Sequence, residues 1–437
     1  MAVCNILDFG AVADAKTLNT QAVQAALDTI AAKGGGKVVV PAGTYLTGTV
    51  FLRDHVELHL EQGARLLGSP DLADYNADDA YPTNWGCKPE GWNAKHLVIA
   101  YRIQDASITG PGTINGNGHL FFADEIEKGH VLQACWRNGG RNSRDFENCG
   151  RPGQMIVFIE CVDVTVRDLA IRDSTCWSLF FHGCRDVQVR GVRIENDILN
   201  KNTDGIDIDS CANVVIADCL IRTGDDAITL RGVDRLDRLA ADAPSRICEN
   251  VVVSNCVCSV SATAMRIGVG NGTIRHVLIS NLMVAHAGIG LHIQSSYSGE
   301  GKGVAISDIR FANIDIRDCS SPVYVVGGTA FATSPVRNIS FRGLTGEGFM
   351  PITVRGSGDK ASGRTRPAHI RFEDVRLVIQ GDAPALLVEH ADDIHFANVR
   401  AERPDGTPIP TERLIKSEDA TVEIVSGTPK RAGAQAD

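Results

Sequence analysis

No run of eighteen apolar residues occurs in the 437-residue chain, so nothing in it reads as a membrane-spanning helix. No basic stretch leads into an apolar core near the start. No secretory leader is therefore visible, and the expectation is a cytoplasmic protein. Positive charge is in deficit: 43 Lys and Arg stand against 53 Asp and Glu, a net charge of −10. Such a molecule does not attract nucleic acid or acidic membranes as a whole. No Cys-x-x-Cys pair and no Cys/His cluster has zinc-ligand spacing, and neither a metal nor a cofactor is expected. Thirteen cysteines are an odd number in a chain far longer than a disulfide scaffold. Several fall where related segments carry apolar residues, so they read as small buried hydrophobes. No linker divides the chain.

What the chain does contain is a repeat. VTVRDLAI at 164 aligns with VQVRGVRI at 187, VVIADCLI at 214, VVVSNCVC at 251 and VLISNLMV at 277. The series continues with IRFANIDI at 309, ISFRGLTG at 339, IRFEDVRL at 370 and IHFANVRA at 394. The intervals run 23, 27, 37, 26, 32, 30, 31 and 24 residues. The first and third positions are apolar, which is the alternation of a strand with one face inward. The fifth is always Asp, Asn or Gly, residues that tolerate a left-handed bend. One strand–bend–strand unit cannot bury its own apolar face, so the units must stack. A propeller blade needs four antiparallel strands and more chain than most of these intervals supply. The fold expected is all-β: a single-stranded, right-handed parallel β-helix over 1–426. Weaker copies at 56 (VELHL) and 106 (ASITGPGTI) extend it toward the start.

Residues 19–33 place Ala22, Ala25, Ala26 and Ile30 at helical spacing before Gly34 to Gly36. This reads as a short helix capping the open end of the solenoid. KVVVPAGTYLTGTVFL then supplies the first strands. Residues 76–155 read as a loop-rich insertion over one face, and 427–437 as a disordered tail.

The chemistry concentrates in residues 202–230, NTDGIDIDSCANVVIADCLIRTGDDAITL. Asp204 and Asp225 are 21 residues apart, near the shortest repeat interval, which sets both at one edge of adjacent coils. Asp225 and Asp226 can both face outward only at a bend, and Gly224 provides one. Crowding of like charges raises the pKa of at least one acid, which suits glycoside hydrolysis. A calcium site is the other reading of the same oxygens. Asp207 and Asp209 are expected to cap bends, Asp207 being the nearer of the two to a supporting role.

NTDGID and GDDAI at this interval resemble the two strongest motifs of glycoside hydrolase family 28, the polygalacturonase-like, pectin-degrading β-helices. FGAVADAKTLNTQAVQAAL and GGGKVVVPAGTY resemble the start of bacterial members, and the likeness covers roughly 5–400. The resemblance implies an inverting hydrolase with Asp225 as general acid and Asp204 and Asp226 activating water. It implies a carboxyl separation of about 6.5–9.5 Å. Asn202 would orient a carboxylate or a substrate hydroxyl. Two family motifs depart. Where the family has Gly-His-Gly, VSATAMRIG carries Thr263 and Ala264. Where it has Arg-Ile-Lys, associated with the galacturonate carboxylate, GIGLHIQSSY carries His292, Ile293 and Gln294. A neutral His and a Gln do not replace charge-assisted pairs.

Other candidates for substrate contact are Arg266, Arg231 (with Arg235 and Arg238 in one insertion), Trp177 and His182. Arg137, Arg141, Arg144, Arg151, Trp85, Trp92 and Trp136 lie in the long loop region. The expected partner is an oligosaccharide cut from its ends. The competing expectations are a calcium-dependent lyase on the same fold and a non-catalytic glycan-binding β-helix.

Overall fold

The computed structural model describes residues 2–82, 93–130, 141–146, 150–233, 247–295, 303–328, 333–359 and 365–425. Among them, 31 strands join one continuous parallel sheet, coiled as a right-handed parallel β-helix. A coil carries three strands, as in Leu179–His182, Arg185–Arg190 and Arg193–Glu195. The next coil repeats them as Ile206–Asp209, Ala212–Ala217 and Leu220–Thr223. Three ladders result, and the strand that opens each of these coils belongs to what is here termed the first ladder.

The repeat read in the sequence is the register of the second ladder. Val164, Val187, Val214, Val251 and Val277 are successive pairing partners, continued by Ile309, Ile339, Ile370 and Ile394. All nine fifth positions are left-handed, with φ between 51 and 67°. A second left-handed column stands one residue before each segment, from Asp163 and Asp186 to His369 and Asp393, with φ between 55 and 59°. Amide side chains bond along these columns: Asn281 Nδ2 donates to Asn255 Oδ1 at 3.0 Å and Asn250 Nδ2 to Asn213 Oδ1 at 3.0 Å. Each turn thus satisfies its own polar groups from the rung beside it.

Inside, like residues stack. Phe311, Phe341, Phe372 and Phe396 form a column with ring centroids 4.7, 4.5 and 4.9 Å apart. That is the spacing of the strands themselves. Cys219, Cys256 and Cys258 are free and buried.

The helix α1 (Thr20–Ala32) covers the first coils. Its buried stripe is Val23, Ala26, Leu27 and Ile30, while Ala25 is exposed. The helix is turned from the expected face because Val23 and Leu27 bury more apolar surface than alanines can. No described helix is long and apolar enough to cross a membrane.

The segment 76–155 is less irregular than its composition suggests. It holds a coil of its own, Val98–Tyr101, Gln104–Thr109 and Thr113–Asn115, and an antiparallel hairpin of Phe122–His130 with Arg141–Phe146. The first of these strands hides from a period-two reading because Val98, Ile99 and Ala100 are all buried. Its outer face lies under a separate apolar cluster of Tyr81, Ile99, Val157, Ile159, Cys176, Trp177 and Phe180. The tail expected after 426, together with Trp85, Trp92, Trp136, Arg137, Arg235 and Arg238, lies outside the described residues.

Phe341→Ala removes the middle of the aromatic column and leaves a cavity between two fixed rungs. The expected cost is about 3–5 kcal/mol, read by urea or thermal unfolding. A loss below about 1 kcal/mol would mean that the column does not hold the rungs.

Candidate active site

The first ladder differs from the other two in being buried on both faces. Ile156–Ile159, Leu179–His182 and Ile206–Asp209 are buried at every position. Its inward positions are apolar. Its outward positions change along the axis from apolar to polar. One outward column runs Val157, Phe180, Asp207, Thr229, Arg266, His292, Tyr324. The next runs Ile159, His182, Asp209, Arg231 and, beyond a register shift, Gln294. Polar side chains that face outward and are still buried mark a covered cleft.

Three aspartates meet at the lip of this cleft. One carboxylate oxygen from each of Asp204, Asp225 and Asp226 lies within 4.8 Å of the others. Asp204 and Asp226 are buried, and Asp225 is part-exposed. The pairing is one residue out from the expected one. Ile206 pairs with Ile228, and Gly205 N donates to Asp226 O at 2.9 Å. Asp226, not Asp225, therefore follows Asp204 one rung on. Each of the three carboxyls thus has an oxygen within 4.8 Å of the other two, as stacking on adjacent rungs allows.

Two glycines permit the cluster. A Cβ on Gly224 would stand 2.0 Å from Asn200 O, and one on Gly205 2.4 Å from Ala227 O. Only glycine lets the two acidic turns nest this tightly. Asp225 is held by backbone: its Oδ2 accepts from Asn202 N and its Oδ1 from Asp226 N, each at 3.1 Å. Asp226 is held on both oxygens. Thr263 N donates to Oδ1 at 2.9 Å, and Arg266 reaches Oδ2 at 2.8 Å in a buried ion pair.

Arg266, a candidate for substrate contact, pairs with Asp226. Thr263 stands in register with that aspartate and contributes its backbone. Asn202 contributes its N–H to Asp225, and its own Oδ1 accepts from Arg151 at 3.0 Å. Arg151 is fully buried, bonds Thr175 O and Lys201 O, and so fixes the turn behind Asp225. It is a positioning residue that no spacing could reveal, since its partners lie 24 to 51 residues away.

Asp207 and Asp209 cap no bend. Both sit on the strand Ile206–Asp209, facing the cleft between inward isoleucines. Asp209 accepts from His182 Nδ1 at 3.0 Å and from Val233 N at 3.0 Å. His182 Nε2 has no described partner. Burial pushes the Asp207 carboxyl well above the usual carboxylate range. The Arg231 charge pulls it back, and the Asp226 and Asp225 charges push it further. The hydroxyl of Thr229, its partner on the next rung, favours the ionised form of Asp207. Asp207, expected to cap a bend, is thus a carboxyl that its surroundings hold toward the neutral form. Trp177 packs edge-on to Phe180 in the apolar cluster, with the Arg231 guanidinium 4.4 Å over its ring. Each therefore braces the other at the cleft wall.

The three carboxylates also have the donor set for a hard divalent cation. Arg266 already sets a fixed positive charge against one of them, which opposes a second cation there.

Comparison with known proteins agrees with this geometry. The model of glycosyl hydrolases family 28 matches residues 83–376, and that of rhamnogalacturonase A/epimerase, pectate lyase-like, matches 3–111. The chain belongs to glycosyl hydrolase family 28. It is 28% identical over 332 residues to a Vitis vinifera protein named "Probable polygalacturonase", covering 74% of this chain and 62% of that protein. It is 28% identical over 256 residues to the exo-poly-alpha-D-galacturonosidase of Dickeya chrysanthemi, 52% of this chain and 41% of that one. The matches thus span less than two thirds of either relative. In fold it is similar to the family 28 exopolygalacturonase of Yersinia enterocolitica, with a TM-score of 0.75 at 22% identity over 98% of this chain and 79% of that one. Against the family's motifs, Thr263 fills the histidine position of Gly-His-Gly, and the only described cation on Asp226 is Arg266, three residues on.

Arg266→Gln removes the charge that clamps Asp226. The expected result is a fall of about 100-fold in kcat with KM nearly unchanged, since a displaced catalytic group costs on that order. If Arg266 served substrate binding instead, KM would rise and kcat would hold. A melting curve separates either result from loss of fold.

Proposed function

We propose that the chain hydrolyses a glycosidic bond in a pectin-related oligosaccharide, with inversion at the anomeric carbon. The observation that carries this is the meeting of Asp204, Asp225 and Asp226 with oxygens within 4.8 Å at the mouth of a covered cleft. Asp225 is the most exposed of the three and is given the role of general acid: it donates its proton to the glycosidic oxygen as the bond to the anomeric carbon breaks. Asp204 and Asp226 take a proton from a water, whose oxygen bonds to that carbon from the opposite face. Asp226, gripped by Thr263 N and Arg266, suits a fixed base better than a nucleophile that must swing into a covalent bond.

End-on action has its own support. Asp204, Asp226, Thr263 and His292 face outward from the ladder and are nonetheless buried. A covered site admits a chain end more readily than the middle of a polymer. No step in this scheme calls for a metal. A lyase on the same fold would leave an unsaturated, ultraviolet-absorbing product.

Asp225→Asn keeps the shape and removes the proton. A fall of about 10²–10⁴ in kcat is expected on pectic oligosaccharides, with saturated products released from one end. Wild-type rates in the variant would remove Asp225 from the role. Unsaturated products that vanish with chelator would replace hydrolysis by elimination.

A further inference from the structure

One cation of the cleft is not accounted for by the acids it stands beside. Arg231 lies on the strand Ile228–Gly232, in the outward column that runs Ile159, His182, Asp209, Arg231. It is half-buried, so part of it reaches the cleft. Its guanidinium carbon stands 4.4 Å over the Trp177 ring. Register fixes where that ring lies. Leu179 pairs with Ile206, Ile206 with Ile228 and Ile228 with Met265. Trp177, Asp204, Asp226 and Thr263 each stand two residues earlier and form a column of their own. Trp177 heads that column, one rung, about 4.8 Å, before the first acid. Arg231 follows Asp226 by five residues on one rung, so its side chain runs back along the cleft floor to reach the ring. Its charge is thereby delivered beside the acids.

The two carboxyls nearest in the ladder do not use this charge up. Asp209, one rung before in the same column, accepts from His182 Nδ1, Val233 N and Ser210 Oγ. Asp207 feels the Arg231 charge without a hydrogen bond from it, and burial holds that carboxyl toward the neutral form. The Arg231 Nε is buried and meets no hydrogen-bond partner among the described residues. A cation over a ring face is held by the ring and spends none of its N–H donors on it. A half-buried charge is costly until an anion meets it. The anion that matches the edge of a planar guanidinium, two oxygens to two N–H groups, is a carboxylate.

We infer that Arg231, seated on the Trp177 ring, takes the carboxylate of a uronate unit of the substrate, next to the scissile bond on the side of the coils that precede Asp204. The inference rests on the hydrolase reading above for the position of the bond. It sets carboxylate recognition on the opposite side of the acids from His292 and Gln294.

The test uses two probes that differ in charge alone: an α-linked galacturonate trisaccharide and its fully methyl-esterified form. Calorimetric titration of Asp225→Asn should show the acid binding about tenfold or more tightly than the ester. Adding Arg231→Gln should weaken the acid by roughly 10–100-fold and the ester by less than about threefold. Arg231→Lys keeps the charge and loses the fork, so it should recover part of the ratio; it carries the test alone if the glutamine variant unfolds. Equal loss of both probes would mean that Arg231 only braces Trp177, and would overturn the inference. Binding of neither probe by the parent, tighter binding of the ester, or a ratio unmoved by either change at 231 would overturn it as well. Turnover by the wild type judges the other reading separately. No hydrolysis of either probe, with the expected shift in ratio, removes the hydrolase and keeps the carboxylate site. Hydrolysis with a ratio unmoved at 231 removes the carboxylate site and keeps the hydrolase.

Discussion

Everything at the candidate active site depends on rung-to-rung register. A parallel ladder fixes which residue of one coil stands over which residue of the last, and a slip of one would turn each side chain to the other face. Register here is pinned twice per coil, by two columns of left-handed Asp, Asn, Gly and His at the ends of the second ladder's strands. It is pinned again inside by stacked phenylalanines. Asp204 and Asp226, 22 residues apart in the chain, are neighbours because of this. The charge repulsion they bring is tolerated because a stiff sheet holds them and Arg266 offsets it.

The same rigidity explains how the site is supported. Asp225 and Asp226 share two turns whose backbones approach so closely that only glycine fits at 205 and 224. Arg151 reaches across from a distant segment to lock the turn at Asn202, and Asn202 in turn donates to Asp225. Carboxylates built on rungs and braced by buried arginines are held in place in advance, which is the condition under which fixed charges act best. The loss of the family's histidine at 263 is accompanied by an arginine three residues on that contacts the same aspartate. Position 292 carries a histidine on the rung after Arg266.

Much of this was legible in the sequence. The second ladder carries one buried and one exposed face, so its apolar alternation and its bend residues are plain, and the nine aligned segments are its register. The first ladder was opaque for the opposite reason. With both faces buried, strands such as Val98–Tyr101 lose the period-two signal, and a coil inside 76–155 reads as loop. Asp207 and Asp209 were misplaced on the same account, since IDID is a strand whose outward acids are covered. The motif spacing located the three acids, but the offset of 22 instead of 21 and the brace from Arg151 depend on how coils stack. That Arg266 pairs with Asp226 follows from how two rungs stack, and no single sequence states that.

The central claim is that stacked coils assemble an acid and a water-activating pair that work on one bond in a single displacement. The most direct measurement is proton NMR of the sugar released in the first moments of reaction, before mutarotation. The account predicts that the new reducing end first appears with the anomeric configuration opposite to that of the bond cleaved. Release with the original configuration would mean that one of the carboxylates, 4.8 Å or less from its neighbours, had bonded to the sugar, and would contradict the account.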